Sequence, residues 1–138
     1  MNTCFRNQSV RAAKAVAHRS DFFFRLRAEL DRNPDAALIV DRESGTILSI
    51  NLPAFELLAI DAVGFQVLDF GINQSTYERI AQQLQQTGTA SQTILLHNAD
   101  GDLIECEADA EVVPYYSGWI VLCFDANQSP PYRRLPKF

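Results

Sequence analysis

The sequence predicts an α+β domain: one antiparallel sheet with short helices gathered over one face, preceded by an amphipathic helix. Three observations lead there. Strand-like runs and helix-like runs are segregated, two strands, then several short helices, then three strands, which suits an antiparallel sheet rather than alternating βαβ units. The segment IECEADAEV, residues 104–112, carries an acid at every second position, the period of an extended strand; a helix would scatter these acids around its circumference. Finally, 138 residues of which 47% are hydrophobic suffice for one domain with a proper core and are too few for two.

Residues 1–19 contain no acid and little apolar pattern, so they form a basic extension compatible with a loose helix, unstructured chain or an organelle transit peptide. From Ser20, an N-cap residue followed by Asp21, the residues Phe22, Leu26 and Leu30 recur every four positions, giving an amphipathic helix over 20–32. It ends before Asn33-Pro34, because proline disfavours a helical residue ahead of it. AALIVD (36–41) and TILSIN (46–51), separated by RESG, read as a hairpin. Pro53 then suits the first turn of a short helix to about Ile60. Gly64 and Gly71 break residues 61–74 into turns. STYERIAQQLQQTG (75–88) is a helix capped by Ser75, with Tyr77, Ile80, Ala81 and Leu84 as its buried stripe and Gly88 as its stop. Strands follow at 93–97, 102–113 and 119–124, with turns at 98–101 and 115–118; the prolines of 128–138 make that segment a tail.

The acidic strand asks for an explanation. Carboxylates two residues apart on a strand lie roughly 6 to 7 Å from each other, which costs little in water and more under a covering element. Glu105, Glu107, Asp109 and Glu111 are therefore either solvated or answered by positive charge. A symmetric hairpin around 115–118 pairs Asp109 with Cys123, Glu111 with Val121 and Val113 with Trp119, leaving an acidic row beside an apolar row of Trp119, Val121 and Cys123 on the outer face. The helix from Ser20 has complementary character: Phe22, Leu26 and Leu30 centre its apolar face, and Arg25 and Arg32 share one margin. The expectation is that this helix covers Trp119, Val121 and Cys123 while its basic margin meets Glu105–Glu111, the apolar contact supplying most of the attachment, since exposed ion pairs contribute only ~0 to 1 kcal/mol each.

The net charge of −5 hides a division into basic ends and an acidic body: residues 1–32 carry seven Arg or Lys against three acids, and residues 33–127 only Arg42 and Arg79 against fourteen. Such a body repels phosphates, so nucleic acid is not an expected partner. No apolar run approaches the ~20 residues of a membrane span, and no secretory signal is evident. Cys4, Cys106 and Cys123 are widely spaced and odd in number, which suggests neither disulfides nor a zinc site and suits the cytoplasm. No Ser/His/Asp order, phosphate loop or metal motif occurs, and four carboxylates in a straight line do not converge on one ion, so catalysis is not expected.

The wording of several segments resembles the PAS family of sensory and interaction modules: NPDAALIVDRESGTILSIN with Asn51 ahead of the first helix, LLAIDAVGFQVLDF, NADGDLIECEADAEVVP and GWIVLCFDAN. The resemblance covers roughly residues 33–127 and implies a five-stranded antiparallel sheet with short helices on one face. It implies a role in signal transduction through a partner protein, with a homodimer built on the N-terminal helix and outer sheet face. Cofactors are not implied. The long middle helix has no histidine for haem, and residues 52–88 have no cysteine for a flavin adduct or a thioester-linked chromophore. A small apolar ligand between sheet and helices stays open, bounded by Phe55, Phe65, Tyr77, Cys106 and Ala108; equally, the aromatic side chains fill that space. The leading expectation is a stand-alone regulatory module, with a ligand sensor and a pure assembly adaptor as alternatives.

Overall fold

The computed structural model describes residues 9–113, 116–125 and 134–135, with the backbone alone for 9–20 and 134–135. The first eight residues, the turn position Tyr115 and most of the 128–138 tail lie outside the described residues. In chain order the elements are α1 (Ser9–Arg32), β1 (Ala36–Asp41), β2 (Ile47–Ile50), α2 (Leu52–Leu58), a 3-10 turn (Val67–Phe70), α3 (Gln74–Thr87), β3 (Thr89–His97), β4 (Leu103–Val112), β5 (Trp119–Asp125) and β6 (Arg134–Leu135). The strands form one antiparallel sheet in the order β2-β1-β5-β4-β3, with the two residues of β6 added against β4.

Three local expectations change. Helix α1 does not start at Ser20 but runs continuously from Ser9, because the Ala-rich stretch RAAKAVAH is intrinsically helix-forming and carries the backbone through the serine. Helix α3 is capped two residues earlier than Ser75: the Asn73 side chain accepts from Thr76 N at 2.8 Å. Strand β3 starts at Thr89, immediately after Gly88 closes α3 in the left-handed conformation (φ 80°), so the chain passes from helix to strand with no loop.

The inner face of the sheet makes the main core. Leu38, Val40, Ile47, Leu96, Ile104, Ile120, Leu122 and Phe124 are fully or almost fully buried beneath Leu57, Leu58, Phe70, Ile80 and Leu84 of the helical segment. Alternation along β4 puts Ile104, Cys106, Ala108 and Ala110 on this side and the four acids on the other. The hairpin register is the expected one, with Asp109 opposite Cys123 and Glu111 opposite Val121.

One buried side chain joins the parts. Asn51 is 2% exposed and sits between β2 and α2. Its Oδ1 accepts from Ala54 N (3.0 Å), capping α2, and from Ala37 N (3.0 Å) in β1. Its Nδ2 donates to Leu30 O (3.0 Å) at the end of α1 and to Asp35 O (2.8 Å) before β1. Nδ2 also reaches Asn33 O at 3.3 Å, so replacement by alanine removes a helix cap and leaves a buried N–H and three carbonyls without this partner. Asn51→Ala is therefore expected to destabilise the domain by about 3 kcal/mol, read as a lower urea midpoint with an unchanged slope; a loss below about 1 kcal/mol would show that the side chain is dispensable.

Candidate functional site

The outer face divides into a covered and an uncovered half. Over β1 and β5 lies the C-terminal part of α1: Leu26 and Leu30 are buried with Ala37, Ile39, Val113 and Trp119, and Phe22, Phe23, Val121 and Cys123 are packed around them. Trp119 anchors this second core at 8% exposure, with the Phe23 ring edge-on at 5.3 Å and the Tyr116 ring edge-on at 4.5 Å. Such aromatic pairs add about 0.5–1.5 kcal/mol each beyond the area they bury. The structure thus brings Phe22, Leu26 and Leu30 onto Trp119, Val121 and Cys123.

Arg25 and Arg32 are exposed, and among the described residues neither makes an ion pair with Glu107, Asp109 or Glu111. Helix phase is the reason. At 100° per residue Glu29 falls roughly 70° from the centre of the apolar stripe and Arg25 and Arg32 roughly 110–130°, so an acid stands between those arginines and the sheet. Glu29 accordingly lines a groove of about 490 Å³ together with Leu26, Leu30, Glu111, Val121 and Cys123. Arg27, on the opposite side of α1, lines a separate depression with Ser49, Asn51, Phe55 and Asp61.

The uncovered half is the acidic row with its neighbours. Glu107, Asp109 and Glu111 are exposed, and on the adjoining edge strand Thr93, Ser91 and Thr89 stand opposite them. Ser91 Oγ lies 2.7 Å from Glu107 Oε1 and 2.8 Å from Asp109 Oδ1, so its single proton serves two carboxylates in turn. A wider groove of about 710 Å³ opens here, bounded by Gln83, Gln86 and Thr87 of α3 and by Thr89, Ser91, Asp109, Glu111, Val121 and Cys123. It shares Glu111, Val121 and Cys123 with the groove beside α1, so the two form one channel with an apolar floor and acidic walls. Nothing in the sequence pointed to Gln83, Gln86 or Ser91, because their part in the channel follows from the tight α3–β3 junction.

The inner residues expected around a ligand are not brought together. Phe55 and Phe65 are 45% and 40% exposed, because α2 turns its Ala54, Leu57 and Leu58 inward and leaves Phe55 outside. Cys106 and Ala108 are buried in the main core, and Tyr77 packs at its margin, donating its hydroxyl to Arg42 O at 3.0 Å. Burial first, and then the charge of Asp41, pushes the Tyr77 hydroxyl above its ordinary pKa.

Burial also raises both described thiols. Cys106 is pushed up to about 12, by burial first and then by the charges of Asp125 and Glu105. Cys123 is raised by burial, then by Asp109 and Asp35, against a lowering hydrogen bond from Asn33 Nδ2 at 3.8 Å. Neither is a thiolate near neutrality, so neither is an activated nucleophile.

With this geometry in place, comparison with known proteins shows the class of fold. The PAS domain of a protein from Colwellia psychrerythraea superposes with a TM-score of 0.64 at 18% identity, covering 75% of this chain and 95% of its own. A LOV protein from Rhodobacter sphaeroides gives 0.68 at 15%, covering 80% and 70%. The PAS domain, in complex with ethanol, of a LuxR-family transcriptional regulator from Burkholderia thailandensis gives 0.58 at 14%, covering 72% and 94%. No family model and no curated protein sequence matches the chain. The chain is a PAS-type α+β domain in its fold, which is the property shared at these identities. Among the described residues no helix is long and apolar enough to cross a membrane.

Two predictions follow from the site. Arg25→Glu with Arg32→Glu is expected to leave amide exchange over residues 22–30 unchanged, whereas Leu30→Ala should speed it sharply and cost about 3 kcal/mol; faster exchange in the charge-reversed chain would restore electrostatics as the cause of docking. For Cys106, the unfolded thiol titrates near 9 while the folded one holds its proton to about 12. Its stabilising contribution is complete below pH 9 and declines as the pH rises towards 12, because the unfolded chain then releases a proton that the folded chain keeps. Urea midpoints at pH 8 and pH 10 should fall more in the unmodified chain than in Cys106→Ala, and Ellman's reagent should leave Cys106 unlabelled in the native protein.

Proposed function

We propose that the chain is a signalling or regulatory module that dimerises and acts by binding a partner protein, without catalysis of its own and without haem, flavin or a thioester-linked chromophore. One observation carries this reading: the outer-face channel, floored by Val121 and Cys123 and walled by Glu29, Asp109 and Glu111. A channel of that make-up suits an amphipathic segment with basic flanks. Residues 1–20 have the matching composition, with Arg6, Arg11, Lys14 and Arg19 and no acid, so a second copy of the chain is a suitable occupant. Exposed charge pairs contribute little individually, so the apolar floor supplies the affinity and the acids select and orient what binds.

The PAS fold of the neighbours supports a role in signalling, and the exposed placement of Phe55 and Phe65 favours protein binding over a small apolar ligand held inside. Sedimentation equilibrium tests the dimer. The full chain is expected at twice the chain mass, and Asp109→Lys with Glu111→Lys is expected to weaken association about tenfold, equivalent to about 1.4 kcal/mol. A chain that sediments as a monomer throughout the concentration series overturns the homodimer. Native mass spectrometry with an absorbance spectrum tests the rest: a retained small molecule or a visible band would favour a ligand sensor instead.

A further inference from the structure

The short helix α2 has a face that the core does not use. Ala54, Leu57 and Leu58 are buried, so Leu52 and Phe55, three residues apart, stand together on the outside at 68% and 45% exposure. Past the helix Asp61 turns the chain back, its Oδ1 accepting from Val63 N at 3.2 Å. Gly64 N then donates to Ile47 O and Ile47 N to Phe65 O, both at 2.8 Å, which pins the segment to β2, the edge strand of the sheet. Val63, 48% exposed, is thereby held in place beside Leu52 and Phe55.

These three side chains and Leu48 of β2 line the depression of about 460 Å³ on the far side of α1 from the channel, together with two exposed charges, Arg27 and Asp61. Among the described residues Arg27 has no ion-pair or hydrogen-bond partner, and the Asp61 carboxylate has only Val63 N. One turn before Arg27 on α1, Phe24 is 67% exposed. Such a surface is its own complement. A copy related by a twofold axis sets Arg27 against the partner's Asp61 and Asp61 against the partner's Arg27 in one step, while apolar side chains meet apolar side chains. The apolar contact supplies the attraction, and the charges, still close to water, fix the orientation. Backbone bonds already hold the loop, so little order has to be gained on docking.

We propose that the depression between α1 and α2 is a second self-association face, occupied by the same depression of another copy with Arg27 and Asp61 exchanged across a twofold axis. It is independent of the channel, from which α1 separates it. Being smaller than either part of the channel, it is the weaker contact and fills at higher concentration.

The test is sedimentation equilibrium of full-length chains that all carry Asp109→Lys and Glu111→Lys, so that association is read with the channel weakened. This background chain is expected to dimerise at the upper end of the concentration series. Adding Arg27→Glu leaves two acids at the depression, and adding Asp61→Arg instead leaves two arginines; each is expected to weaken association about tenfold. Both substitutions in one chain should restore it, and so should an equimolar mixture of the two single variants, because the acidic depression of one then faces the basic depression of the other. Urea midpoints check the fold; where Asp61→Arg lowers the midpoint, Arg27→Glu, at a side chain with no partner, carries the test. A background chain that stays monomeric throughout the series, association that Arg27→Glu leaves unchanged, or a mixture as weak as its components overturns the proposal. If Asp109→Lys with Glu111→Lys leaves association as strong as in the unmodified chain, it is the channel reading that fails, and the charge exchange still decides this face.

Discussion

The side-chain amide of Asn51 reaches three stretches of backbone that the sequence keeps apart: the end of α1, the start of β1 and the start of α2. The groups it reaches at Leu30, Ala37 and Ala54 are buried and those at Asn33 and Asp35 half-buried, and a helix or strand end there needs a partner from outside its own ladder. A primary amide offers two donors and an acceptor with two lone pairs, which is the combination needed to meet an N–H of a helix start, an N–H of a strand and the carbonyls of Leu30, Asn33 and Asp35 from one side chain. A carboxylate would meet the N–H groups and repel the carbonyls. Because Leu30 O is one of the five partners, the same amide that assembles the inner core also fixes where α1 leaves the sheet, and therefore which turn of that helix lies over Trp119.

That placement explains the division of the outer face. Helix α1 crosses β1 and β5 with Leu26 and Leu30 down, burying Ala37 and Ile39, small or branched residues on the strand beneath it. β4 lies beyond its reach, so Glu107, Asp109 and Glu111 remain in water, where like charges 6 to 7 Å apart repel by only about 1 kcal/mol or less. Had α1 passed over β4, the row would have needed cations at close quarters. Helix phase instead supplies Glu29 at the boundary, which adds to the negative wall of the channel. Attachment of α1 is thus an apolar matter, and the field beside it is left for something else to answer.

Much of this was legible in the residues. The alternation of acids in β4 gave both its extended conformation and its two faces, because a period of two has no helical counterpart, and the turn length then set the register that pairs Asp109 with Cys123. Phe22, Leu26, Leu30 and Trp119 were recognisable as mates because each was an apolar surplus with no other place to go. Three things were hidden. The true start of α1 depends on propensity summed over an alanine-rich stretch, which outweighs a single capping serine. Glu29 lies closer in phase to the apolar stripe than Arg25 does, a difference that attention to the arginine margin alone passes over. The pairing of Arg134 and Leu135 with Ile104 and Leu103 is a two-residue contact that periodicity does not show.

The small residues of the inner face illustrate why a sequence pattern for a cavity differs from a cavity. Cys106, Ala108 and Ala110 opposite a helical layer leave room only if the helices stand off at the distance larger side chains would impose. Here α3 joins β3 with no intervening loop, so its Ile80 and Leu84 are drawn down onto β3 and β4, and Ala54 and Ala62 let the preceding segment approach as well. Close approach takes up the volume that the small side chains release, in keeping with the dense packing of protein interiors. The cost is borne by bulky residues with no space left to enter, and Phe55 and Phe65 stand half in solvent as a result. With the interior filled by the close approach of the helices, the open features of the described residues lie at the surface, in the channel beside α1 and in the depression on its other side.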